Sequence, residues 1–301
     1  MLSDMIPIAL TPFHPDGSLD LASIGLLARF YQRQGAQAVI VLGIMGEAHA
    51  LSDRERAAVI EAYAAALQGA LPVAATVSAA ATEVSIQRAR EAAHLGAQFL
   101  MVAPPPQVTE PEALLVHFQR VAEATSLPWI LQDEPVTTGV KLSVGLIEQL
   151  AHTIPTLVAV KIEDVPTAAK IHRLREALPD LQLFGGLGGL YLFEELQHGA
   201  SGTMTGFSYP DILAQVIAHF RAGRVDDARR HFYRYLPLIR YEAQLGVRGI
   251  ALRKALFYQR GLLAAPTVRA PATAVDALVE GDLTDLVAAL GLSLSPEEGA
   301  V

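Results

Sequence analysis

Between Thr156 and Asp164 the chain reads TLVAVKIED: an apolar run that ends in Lys161 and meets two carboxylates, Glu163 and Asp164, almost at once. A lysine held among Val, Ala and Val loses hydration, which leaves a neutral amine able to attack a carbonyl carbon. The alternative is a structural ion pair with Glu163 or Asp164. The chain has only four lysines. Lys170 and Lys254 fall in helical patterns among polar residues and Lys141 in a loop, and all three are expected in solvent. Glu163 stands two residues beyond Lys161, so the two share one face of a strand. That makes Glu163 the expected general base beside the amine.

Three further stretches could surround that pair. GIMGEAHALSDRE (43–55) sets two glycines around a tight turn, then Glu47, then a helix start. Backbone N–H groups of Gly43, Ile44, Met45 and Gly46 in such a turn can bind a carboxylate, although glycine-rich turns are also routine loop chemistry. LQDEPVTTGVKLS (131–143) ends an apolar run at Gln132 and continues through Asp133 and Glu134 to Thr138 and Gly139. Gln132 does not titrate, so it can orient water or a hydroxyl but cannot be a base; Asp133 is a weaker candidate base than Glu163. FGGLGGLY (184–191) is not GxGxxG and lacks a dinucleotide-fold context, so Gly185 and Gly186 read as a tight turn bordering a pocket, near Thr205.

Other chemistries find little support. The nine histidines show no HxH and no i,i+4 pair beside a Glu, so no metal site is expected. Only His14 and His49 fall in loops near the candidate site. Cysteine is absent, which removes disulfides, thiolate nucleophiles and Cys-ligated metals. Ser201 and Ser208 have no evident His–Asp partners.

These groups need a scaffold that brings the ends of several strands together. Short apolar runs alternate with helical patterns at Ile6–Leu10, Ala38–Leu42, Pro72–Thr76, Gln98–Val102, Pro128–Gln132, Thr156–Lys161, Gln182–Gly185 and Gly202–Met204. Eight such units predict a (β/α)8 TIM barrel, with Lys161 at the C-terminal strand end that opens onto the functional face. The runs are nearly all apolar, as when helices cover a parallel sheet; an open doubly wound sheet is the alternative. SDRE (52–55) and TEPE (109–112) read as helix-capping boxes. Residues 1–209 are expected to form the barrel and 210–301 a C-terminal helical extension, with a turn at Ala222–Arg224, a break at Pro237 and a polar, frayed tail from Ser293.

The chain has 301 residues, 51% of them hydrophobic, and a formal charge of −8 with scattered basic residues. That argues against nucleic acid or an anionic membrane surface as partner. No secretory leader or membrane span is expected, and the lack of cysteine fits a cytoplasmic protein.

TPFHPDGSLD after the first run, the GIMGE turn, PxxTG at Pro135–Gly139 and Lys161 together resemble the dihydrodipicolinate synthase and N-acetylneuraminate lyase family of Schiff-base barrels. The resemblance spans nearly the whole chain. It implies imine formation at Lys161, no cofactor, a small 2-keto acid substrate and a homotetramer. Within the family the chain is most similar to the 2-keto-3-deoxy-L-arabonate dehydratase branch, through Gln132, Asp133 and Pro135, through KIE at 161–163, and through GASGTMTGFSYPD (199–211). The turn Gly-Ile-Met-Gly-Glu departs from that branch. The hydroxyl relay of the synthases is also missing: Gln132 takes the place of a tyrosine, Ile44 and Met45 of two threonines, and Pro105 and Pro106 of a tyrosine pair. The resemblance therefore implies a dehydratase acting on a 2-keto-3-deoxy sugar acid rather than dihydrodipicolinate synthesis. The alternatives are an aldolase using the same lysine, or a catalytically idle barrel that binds keto acids.

Overall fold

In a computed structural model, which describes residues 2–243 and 248–294, eight short parallel strands form the centre of the molecule. They are β1 (Asp4–Pro7), β2 (Val39–Val41), β3 (Val73–Thr76), β4 (Phe99–Val102), β5 (Trp129–Asp133), β6 (Leu157–Ile162), β7 (Gln182–Gly185) and β8 (Gly202–Thr205). Hydrogen-bonded order runs β1-β8-β7-β6-β5-β4-β3-β2. The remaining edges meet at a parallel bridge between Ile8 and Ile40, where the Ala9 amide donates to the Ile40 carbonyl at 2.8 Å. The result is the (β/α)8 barrel expected from the alternation of runs.

The two faces of each strand have different tasks, and parity assigns them. Ile6, Ile8, Ile40, Ala74, Met101, Ile130, Ala159, Phe184 and Met204 form one buried cluster, the packed barrel interior. Val39, Val41, Val73, Leu100, Leu131, Val160 and Leu183 belong to a second cluster, under the helices. Lys161 and Gln132 sit two residues beyond Ala159 and Ile130, so they continue interior rows toward the C-terminal mouth. Asp133, two beyond Leu131, continues an outer row.

The surrounding helices are α1 (Leu21–Arg33), α2 (Asp53–Leu67), α3 (Thr82–His94), α4 (Pro111–Ala122), the one-turn α5 (Pro135–Thr138), α6 (Val144–Thr153), α7 (Thr167–Ala177), α8 (Leu192–Gln197) and α9 (Pro210–Arg221). The α2 capping box forms, with Ser52 and Glu55 bonding reciprocally. The box expected at Thr109 does not: Pro111 takes the first helical position, so Glu110 becomes the cap residue and makes no side-chain cap bond. Since α9 packs on β1, the eighth barrel helix lies beyond residue 209.

Among the described residues three more helices follow: α10 (Val225–Ala243), α11 (Gly249–Gln259) and α12 (Ala277–Ala289). The turn at Ala222–Arg224 is present, with Gly223 at φ +74°. Pro237 does not break α10, which continues through it. Phe232, Leu238 and Ile239 on either side are buried in a cluster shared with α9, and this packing outweighs the lost backbone bond. The polar tail beyond Leu294 lies outside the described residues, none of which forms a helix long and apolar enough to cross a membrane.

Candidate active site

At the C-terminal ends of the strands lies a cavity of about 370 Å³, within the usual size range for small-molecule sites. Lys161 projects into it and is 5% exposed. Its Nζ lies 3.4 Å from Glu163 Oε2. The same oxygen accepts from Gln132 Nε2 at 2.9 Å, while Oε1 accepts from the Leu187 amide at 3.2 Å. Gln132 stands opposite Lys161 in the β5–β6 register. An amine, a carboxylate and an orienting amide are thus drawn together from two adjacent strands. The ion pair considered from sequence is present, and both of its groups face the cavity.

The glycines after β7 serve this geometry indirectly. A Cβ on Gly186 would collide with the Glu163 side chain, and one on Gly185 with the carboxyl of Glu195. The sequence reading expected both glycines to border the cavity; neither does, and they instead make room for two carboxyl groups. Glu195 has no solvent exposure, and its Oε1 accepts from Thr167 Oγ1 at 2.7 Å. Burial, helped by the nearby Glu163 charge, pushes its carboxyl up to about 8.

Opposite this wall, Gly43, Ile44 and Met45 border the cavity, as does Thr205. Ile44–Gly46 form a single 3₁₀ turn whose own bonds use the amides of Gly46 and Glu47. Gly46 turns away, its carbonyl accepting from Thr11 Oγ1 at 2.7 Å. Thr138 and Gly139 also stand back from the main cavity. Thr138 Oγ1 bonds the Glu134 carbonyl at 2.6 Å and borders an adjoining pocket that also contains His49, while Gly139, at φ +71°, ends α5.

Four residues correct the sequence reading. Glu47 is not a cavity residue: at φ +50° and 1% exposed, it turns into the wall, pairs with Lys254 and accepts from the Arg269 amide at 2.9 Å. Lys254 is accordingly not solvated but fully buried. It lies 4.2 Å from the Phe13 ring centre, and burial pulls its ammonium down to about 8. Asp133 is no candidate base, since its outward parity takes it to Lys170 Nζ at 2.6 Å and the Leu142 amide at 3.2 Å. Lys170 is therefore buried as well, closing that site with a further bond to the Leu142 carbonyl.

Glu134, Tyr191 and Arg253 also border the cavity and had not been singled out. Glu134 caps α5, accepting from the amides of Val136 and Thr137. Its position directly after Gln132 and Asp133 was a usable signal. Arg253 comes from α11, far along the chain, where ALRKAL places two cations inside an apolar run. Among the described residues, no group of three or more His, Asp or Glu is placed to hold a metal ion.

The geometry can be set against known proteins. Residues 1–290 match the model of the dihydrodipicolinate synthetase family. The chain belongs to that family. It is 32% identical over 273 residues to the L-2-keto-3-deoxyarabonate dehydratase of Azospirillum brasilense, covering 89% of this chain and 87% of the relative. An N-acetylneuraminate lyase of Rhizobium meliloti is also 32% identical, over 73% of this chain and 74% of that one. Among solved structures, a dihydrodipicolinate synthase from Rhodopseudomonas palustris superposes with a TM-score of 0.91 at 36% identity, covering 95% of this chain and 97% of the other. These family relatives carry different names for different reactions, so the choice among reactions falls to the cavity residues.

Proposed function

We propose that the chain is a Schiff-base-forming lyase acting on a small 2-keto acid, and specifically a 2-keto-3-deoxy sugar acid dehydratase similar to 2-keto-3-deoxy-L-arabonate dehydratase. The observation that carries this reading is the Lys161–Glu163–Gln132 cluster: a nucleophile and a carboxylate 3.4 Å apart in a buried cavity, with a non-titrating amide where a synthase relay would need a phenol.

In this reading the Lys161 amine adds to C2 and water leaves, giving an iminium that withdraws electrons from C3. Glu163 removes a C3 proton, forming an enamine. The enamine expels the C4 hydroxyl, which takes a proton and departs as water. A proton shift and hydrolysis of the imine then release the semialdehyde and restore the amine, so the net change is loss of one water. The amides of Gly43, Ile44 and Met45, which border the cavity, would hold the C1 carboxylate. Gln132 keeps the Glu163 carboxylate aimed at the cavity through its 2.9 Å bond. No metal or organic cofactor takes part in these steps, and chelators should leave turnover unchanged.

The aldolase reading uses the same lysine to break C3–C4, and the N-acetylneuraminate lyase relative favours it. An assay that separates semialdehyde from pyruvate, run over several 2-keto-3-deoxy acids, tests the choice. Semialdehyde without pyruvate is the expected result; pyruvate as the main product would overturn the dehydratase assignment. The family resemblance also supports a homotetramer in the cytoplasm, which light scattering on the purified chain and cell fractionation would check.

A further inference from the structure

Arg253 is the one guanidinium that borders the cavity among the described residues. It is 3% exposed and stands on α11, outside the eight β/α units. Its Nε donates to Glu242 Oε2 at 3.0 Å and its Nη2 to the Glu242 carbonyl at 3.4 Å. Glu242 is wholly buried, and its Oε2 also accepts from the amide and hydroxyl of Ser208, at 3.2 and 3.1 Å. The pair is therefore fixed from behind.

On the cavity side the guanidinium is poorly served. The partner of Nη1 is Met45 Sδ at 3.1 Å, and a thioether is a weak acceptor. Gly249 leaves room beside Nη1, since a Cβ there would come within 3.0 Å of it. Buried N–H groups without good acceptors are costly, and that cost is recovered when a ligand brings oxygens to them.

We propose that Arg253, positioned by Glu242, reads the hydroxylated tail of the substrate, and that the cavity prefers a 2-keto acid with a neutral polyol tail over one with a second carboxylate. The inference rests on imine formation at Lys161. Charge decides the tail. Glu242 cancels Arg253, Glu163 faces Lys161, and Glu134 is a further carboxylate on the wall. Among the described residues lining the cavity, no uncompensated cation remains for a second anionic group, whereas the spare N–H groups suit hydroxyl oxygens.

Borohydride trapping on the full chain tests this, because it reads binding at Lys161 whatever product forms. Half-saturating concentrations are compared for pyruvate, a 2-keto-3-deoxypentonate and a 2-keto-3-deoxy-hexarate carrying a terminal carboxylate. Wild type should trap the pentonate at a lower concentration than the hexarate; the reverse order overturns the proposal. Arg253→Met should weaken pentonate trapping by roughly 10- to 100-fold and pyruvate trapping far less. Equal weakening of both would mean that Arg253 acts at the carboxylate end, and no weakening of either would remove it from recognition. If Arg253→Met is unstable, the charge-balanced Arg253→Met/Glu242→Gln pair is read in the same way, and the wild-type order stands without any variant. Wild type that traps pyruvate without discriminating between tails overturns the tail reading alone, whereas failure to trap any keto acid overturns the Schiff-base reading as well.

Discussion

The carboxylate of Glu163 touches three groups at once: Lys161 Nζ, Gln132 Nε2 and the Leu187 amide. Two of these contacts aim it, and the third sets it against the Lys161 amine. Replacing it with the isosteric amide in Glu163→Gln keeps the shape and removes the proposed base. Deuterium exchange at C3 of a bound 2-keto acid should then fall by about 10²- to 10⁴-fold, while borohydride trapping at Lys161 persists. Equal exchange in wild type and variant would make Glu163 a structural partner of the lysine. That Lys161 and Glu163 meet in one cavity was legible in the sequence, because a cation that ends an apolar run and a carboxylate two residues on share strand parity. Asp133 was misjudged for the same physical reason in reverse: its odd register sends it outward, to a Lys170 that helical periodicity alone had left in solvent.

At the scale of elements, β7 and its turn separate two carboxyl groups, Glu163 on the cavity side and Glu195 on the helix side, with Gly185 and Gly186 leaving them room. Unfolded, Glu195 ionises around its ordinary value of 4.5; folded, burial holds its proton to about 8. Between those values unfolding releases a proton, so stability falls as pH rises across the window and levels off above it. Glu195→Gln should flatten that slope. Relative to wild type, its melting temperature should rise most at pH 8 and least at pH 5, followed by circular dichroism. A parallel pH dependence in the two proteins would mean that Glu195 is ionised when folded. Sequence reading placed the Gly-Gly turn correctly but not its purpose. The two carboxyls come from just after β6 and from α8, and no local pattern announces such a meeting.

Across the whole molecule, the C-terminal helices are part of the barrel's support. Ile250, Phe257, Leu262 and Leu263 share one buried cluster with Leu27, Phe30 and Phe13, and Lys254 meets Glu47 across the same boundary. A chain ending at Gly223, just after α9, would expose that apolar surface and leave Glu47 buried without its cation, so it should show no cooperative thermal transition. A sharp melt from that fragment would establish the barrel as independent. The eight-fold alternation was readable because each unit repeats the same local pattern. The contribution of α11 to the cavity was not, since it depends on where a distant helix packs rather than on any motif. The central claim is that this assembly exists to hold Lys161 as a carbonyl nucleophile, and one measurement tests it most directly. The full chain is incubated with pyruvate and borohydride, weighed intact and mapped by peptide. The expected result is one reduced adduct per chain, on the Lys161 peptide, and none in Lys161→Ala. An adduct on another lysine, or full turnover by Lys161→Ala, would contradict the account.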